Sequence, residues 1–252
     1  MTLFDTNAWI GEWPFATLPQ RDAAALRKHW RLHGIAGGLV SSFATVWPVD
    51  PMPGNRALQA ELARRTGAYA LPVLNPGAPG WEAHLEEIDT WADVPAVRLL
   101  PAYHAYRLNS PAAREAAKAI AATGRRVVLT MRLLDERHEH AQLKIKPPAL
   151  KQVAAWLEAI DGPAVLLHGL TRWDIEALKP QSGRFAADLS FAEWEDTLGV
   201  VGAVMERKYM MFGSLTPLHV TRAQVDKVTA SPAGATMRRL VADGNARKFF
   251  KL

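Results

Sequence analysis

Apolar residues along this chain fall into short unbroken runs, each followed by a stretch spaced for a helix. The first run, Leu3-Phe4-Asp5-Thr6-Asn7-Ala8-Trp9-Ile10, passes into polar residues and a turn at Gly11. Others are Ala36 to Val40, Tyr69 to Leu74, Ala96 to Leu100, Arg126 to Met131, Ala164 to Leu167, Phe185 to Leu189 and Tyr209 to Phe212. Runs of this length without polar alternation predict strands buried on both faces, as in parallel sheets. Between them, helices are predicted from about Pro19 to His33, around Leu58 and Leu62, and along Trp81, Leu85, Ile88 and Trp91. The pattern continues from Pro111 to Thr123, along Leu150, Val153, Leu157 and Ile160, from Thr171 to Lys179, along Trp194, Leu198, Val201 and Met205, from Thr221 to Ala230 and from Gly234 to Lys248. Eight such runs alternating with helices predict a (β/α)8 TIM barrel of the α/β class, formed by residues 1–252 as one domain. A doubly wound open sheet would alternate too, but no glycine-rich phosphate loop follows the first strand.

Composition changes this picture little. The net charge of +5 is modestly basic, and the lysines and arginines are scattered rather than grouped with aromatics, so nucleic acid is not an expected partner. The milder consequence is a field that favours small anions. The absence of cysteine excludes disulfides, thiolate nucleophiles and Cys-ligated zinc. No run approaches the roughly 18 apolar residues of a membrane helix, and Met1 leads straight into a strand with no signal-like segment, so a cytoplasmic protein is expected.

The opening strand resembles that of the amidohydrolase-related (amidohydrolase 2) family, which closes with Asp-x-His-x-His-x-x-Gly or a near variant of it. Asp5 and Gly11 match it, while Asn7 and Trp9 stand at the two histidines. The resemblance extends through Asn55, Pro72 to Pro76, Arg98-Leu99-Leu100-Pro101, Tyr106-Arg107-Leu108, Phe212-Gly213-Ser214 and Asn245-Ala246-Arg247-Lys248-Phe249. It implies a barrel hydrolase, with a catalytic or metal-binding aspartate after Phe-Gly-Ser and a histidine ending the sixth strand. His168 matches the latter, but Leu215 stands at the aspartate. Trp has no free lone pair and an Asn oxygen is a weak zinc ligand, so no metal and no other cofactor is expected.

Barrel active sites lie at the carboxyl ends of the strands. Candidate substrate-binding residues there are Asn7, Trp9, Arg98, Arg132 and Asp188, with Arg132 predicted to aim its fork at a substrate carboxylate. His104, between Tyr103 and Tyr106, and His168 are the candidate acid–base groups. Each also has a plainer reading: His104 packed on aromatics, His168 in the core, Asp188 as a helix cap. Trp9, Trp13 and Trp47 follow strands and could stack on a flat substrate. Should a metal be rebuilt, His138 and His140 are the first candidates, with Asp135 or Glu139 and His168. The expected function is a metal-free hydrolase or lactonase acting on a small carboxylate. The alternatives are a decarboxylase of the same superfamily and a non-catalytic relative with a decayed site, and a homo-oligomer is left open.

Overall fold

The computed structural model describes residues 1–63, 67–135, 137–140, 143, 145–160 and 164–252. Among the described residues nine strands run in chain order: β1 (Leu3–Ile10), β2 (Ile35–Ser42), β3 (Ala68–Ala70), β4 (Val73–Leu74), β5 (Ala96–Leu99), β6 (Arg126–Thr130), β7 (Val165–His168), β8 (Phe185–Asp188) and β9 (Met210–Met211). All pair in parallel, in the orders β1-β2-β3 and β4 to β9. β3 and β4 are one stave interrupted at Leu71-Pro72, because proline has no N–H for the ladder. Leu71 N donates to Val40 O at 2.8 Å and Arg98 N to Pro72 O at 2.7 Å, which carries the sheet across the break. The far edges meet where Thr6 N donates to Phe212 O at 3.1 Å and Trp9 N to Thr216 O at 2.8 Å. The result is the closed eight-stave barrel that the eight apolar runs predicted.

Each stave sends one apolar residue to the axis: Phe4, Leu39, Leu71, Ala96, Val128, Leu166, Ala186 and Met211. Ala246 and Phe250 of the last helix (Asn245–Phe250) join this cluster. That helix sits at the strand amino ends, where Arg126 Nε donates to Phe249 O at 2.6 Å. A second, larger cluster fills the space between staves and helices, including Leu26 and Trp30 of the helix Ala23–Leu32 and Val153, Trp156 and Leu157 of the helix Leu150–Ala159.

Among the departures from the sequence prediction, two helices are shortened by a side-chain cap. The first begins at Ala23, not near Pro19, because Asp22 accepts from Ala25 N at 2.7 Å and ends the loop there. The segment from Trp194 to Met205 is helical only at Thr197–Gly202, where Asp196 caps Gly199 N at 3.1 Å and Thr197 Oγ1 takes Trp194 N at 3.1 Å. Among the described residues, no helix is long and apolar enough to cross a membrane.

Candidate active site

Side chains two residues apart on a strand share a face. Stepping two residues toward the carboxyl end from the apolar axis layer, β5 gives Arg98, β6 Thr130, β7 His168 and β8 Asp188, all 0% exposed. The register sets Thr130 beside His168. On the last stave the equivalent position is Gly213, and a Cβ there would lie 2.3 Å from Asp188 Oδ2, so only glycine leaves room for that carboxyl group.

The first strand joins this layer by a break in regularity. Its register to β2 shifts between Asp5 and Ala8. Strict alternation from Phe4 would turn Thr6 and Ala8 to the axis, but the shift brings Asn7 into the polar layer instead. Asn7 Nδ2 donates to Asp188 Oδ2 at 3.0 Å, and its Oδ1 accepts from Arg98 Nη2 at 3.2 Å and from Trp9 Nε1 at 3.1 Å. One amide therefore presents its donor to the anion and its acceptor to the cation. Gly169 N completes the hold on Asp188 at 3.3 Å.

Electrostatics follow from burial. Desolvation raises Asp188 to about 6, with the Ser190 hydroxyl, the hydrogen bonds from Asn7 and Gly169 and the charge of Lys227 pulling against it. His168 is pushed well below the usual imidazole range, first by burial and then by the neighbouring Arg98 cation, so it is neutral near pH 7. Burial also lowers Arg98, opposed by Asp188 and Asp5, and a guanidinium starts high enough to remain charged. Several polar atoms here have no hydrogen-bond partner among the described residues: Arg98 Nε and Nη1, Thr130 Oγ1, and both ring nitrogens of His168. Buried polar atoms ordinarily have partners, so such a group in one layer is the mark of a place for a polar ligand or water.

Above the layer lies an apolar roof that includes Trp9, Trp13, Phe43, Leu133, Phe191 and Leu215. Trp9 stacks on Phe43 with centroids 5.3 Å apart, and the Arg98 guanidinium lies 4.2 Å from its centroid. Its ring is thus already in contact with protein, which corrects the expectation of a free surface for a flat substrate. Outside the roof, Trp13, Phe15, Leu18, Arg21 and Trp47 line a surface groove of about 910 Å³.

The remaining sequence candidates sit elsewhere. Arg132 pairs with Asp174 at 3.1 Å in the first turn of the helix Arg172–Ala177, so its fork is turned to a protein carboxylate rather than offered to a substrate. His104 Nε2 meets the Thr45 carbonyl at 3.0 Å, and burial lowers its pKa. Asp188 belongs to the polar layer rather than acting as a helix cap. His140 stacks on Phe15 at 5.3 Å and Asp135 is tied to Arg137 at 2.8 Å. Among the described residues no group of three or more His, Asp or Glu is placed to hold a metal ion, and Glu136 lies outside them. The sequence reading missed Thr130 as a site residue, although its offset of two from Val128 marks it. It also missed the bond from Trp30 Nε1 to Asp5 Oδ2 at 3.1 Å, for which no local signal exists.

No protein-family profile and no curated protein matches the chain. Solved structures do. A 5-carboxyvanillate decarboxylase from Sphingomonas paucimobilis superposes with TM-score 0.76 at 13% identity, covering 100% of this chain and 99% of that one. A dihydroxybenzoic acid decarboxylase from Polaromonas sp. JS666, solved with manganese and the inhibitor 2-nitroresorcinol, gives 0.74 at 12%, covering 100% and 97%. A Staphylococcus aureus protein proposed to be an amidohydrolase gives 0.73 at 8%, covering 100% of both chains. At these identities the likeness establishes the fold, a (β/α)8 TIM barrel.

Proposed function

We propose that this protein binds a small aromatic carboxylate against Arg98 and acts on it without a divalent metal, as a decarboxylase in preference to a lactone hydrolase. One observation carries the reading: a fully buried guanidinium that, among the described residues, has two nitrogens unpartnered and no carboxylate bonded to it directly. One edge of such a fork binds a carboxylate through two parallel charged hydrogen bonds, a free nitrogen supplying one and the Nη2 proton not given to Asn7 the other. The structural neighbours that act on aromatic carboxylates favour this substrate class and decarboxylation.

The metal of the manganese-bearing neighbour does not fit the donor set here. Asn7 Oδ1 is already engaged by Trp9 and Arg98, Trp9 and Leu215 offer no ligand atom, and the Arg98 cation stands beside His168. In this reading Arg98 supplies the fixed positive charge instead. Asp188, raised to about 6, is the group suited to give a proton to the ring carbon that bears the carboxylate. Carbon dioxide then leaves and the C–C electron pair returns to the ring. Neutral His168 orients the substrate through its free ring nitrogens.

Calorimetric titration with 2,6-dihydroxybenzoate and 5-carboxyvanillate, beside CO2 release in the presence of a chelator, tests the proposal. Binding by the wild type, loss of it in Arg98→Met and chelator-resistant CO2 release are expected. No binding of any aromatic carboxylate, or one metal ion per chain required for turnover, would overturn it. The rival reading is a non-catalytic relative, favoured by the full burial of Arg98, His168 and Asp188 beneath the roof. Binding without CO2 release or lactone opening would establish that reading instead.

A further inference from the structure

We propose that the hydroxyl groups of Ser214, Thr216 and Thr221 form a proton relay linking His29, near the surface, to the buried carboxyl group of Asp5. Asp5, Ser214 and Thr216 are 0% exposed and Thr221 is 4% exposed, whereas His29 is only half-buried on the helix Ala23–Leu32. The links are continuous. His29 Nε2 lies 2.8 Å from Thr221 Oγ1, Thr221 Oγ1 lies 2.6 Å from Thr216 Oγ1, and Thr216 Oγ1 lies 2.7 Å from Ser214 Oγ. Ser214 Oγ then donates to Asp5 Oδ2.

Proton counting fixes the direction of this chain. A hydroxyl has one proton. While Asp5 is ionised, Ser214 spends its proton on Oδ2, so the contact with Thr216 is donated by Thr216. Thr216 in turn accepts from Thr221, and Thr221 accepts from His29 Nε2–H. Every donor points toward the carboxylate. A concerted shift moves the His29 Nε2 proton to Thr221, that of Thr221 to Thr216, that of Thr216 to Ser214 and that of Ser214 to Asp5 Oδ2. Each oxygen gains one proton and loses one, Asp5 becomes neutral, and an imidazolium at His29 becomes the Nδ1–H tautomer. Water then restores the proton on His29.

The groups that face the two ends suit the transfer. Trp30 Nε1 at 3.1 Å, Asn7 N at 3.0 Å and Ser214 N at 2.8 Å hold Asp5 in place with neutral donors, and Arg98 is the charge that bears on it. Burial raises the Asp5 pKa, so a protonated state is accessible. His33, with its ring 4.6 Å from that of His29, disfavours a second charge there and so favours release of the His29 proton. On the neighbouring helix (Thr221–Thr229), the exposed Arg222 is paired with Asp226 at 2.7 Å. The inference stands on the hydroxyl geometry and is independent of what binds at Arg98.

Infrared spectroscopy of the protonated carboxyl stretch tests it, with Asp5→Asn identifying the band and transfer into deuterated water timing its exchange. Thr216→Val should slow that exchange by about tenfold or more, while Thr216→Ser, which restores the hydroxyl, should exchange like the wild type. Should Thr216→Val fail to fold, His29→Phe cuts the chain at its half-buried end and should slow exchange in the same way. Wild-type exchange in Thr216→Val or His29→Phe would overturn the relay. So would a Ser variant as slow as the Val variant, or the absence of a protonated Asp5 band at every pH where the protein is folded.

Discussion

The guanidinium of Arg98 lies 4.2 Å from the centroid of the Trp9 ring, and both side chains are 0% exposed. A cation over an indole face gains about 2 kcal/mol or more when desolvated, which helps to hold a charge that has no carboxylate bonded to it among the described residues. Trp9 thereby closes the top of the polar layer and Asn7 ties its two charged ends together.

Arg98→Met should raise the Asp188 pKa above about 6, because the cation that favours its ionised form is removed. The carboxyl carbon shift followed by NMR across pH 4 to 9 checks this. A midpoint unchanged or lowered would mean that the two groups do not feel each other.

Asp188 also sets a pH dependence of stability. Its folded pKa of about 6 lies above the ordinary 3.8, so through that interval the folded protein keeps a proton that the unfolded chain has lost. Stability should therefore fall as pH rises through this window, by up to about 3 kcal/mol from this group. Asp5, also raised, acts in the same sense, whereas His168, lowered, costs stability as pH falls below about 6.5. Asp188→Asn should remove its share, giving a shallower decline in urea midpoint from pH 4 to pH 6. Equal slopes in the two proteins would contradict it.

Gly213→Ala places a Cβ 2.3 Å from Asp188 Oδ2, closer than two atoms can pack. The carboxyl group must move away from Asn7, at a cost of roughly 1 to 3 kcal/mol for overpacking. Denaturant titration measures the loss, and an unchanged midpoint would show that Asp188 is free to shift.

His104→Ala should leave carboxylate affinity and turnover as in the wild type, because among the described residues its hydrogen bond goes to the Thr45 carbonyl and none to the polar layer. Loss of that bond should cost about 1 kcal/mol of stability. A fall in turnover of a hundredfold, the scale of a lost acid–base group, would return His104 to the site.

The sequence by itself determined the barrel and most of its polar layer. Strands buried on both faces need continuous apolar runs, and side chains repeat with a period of two. Arg98, Thr130, His168 and Asp188 therefore each follow an axis residue, Ala96, Val128, Leu166 and Ala186, by two positions. Only the tertiary structure decided the rest, because it depends on contacts between residues far apart in the chain. The register shift between Asp5 and Ala8, where strict alternation from Phe4 would have turned Thr6 inward, is what brings the candidate Asn7 into the layer. Arg132 found Asp174 on the next helix, and Trp9 was enclosed by Phe43 and Arg98. The hydroxyl chain from His29 to Asp5 exists because closing the barrel sets the end of β9 against β1, which no local pattern along the chain records.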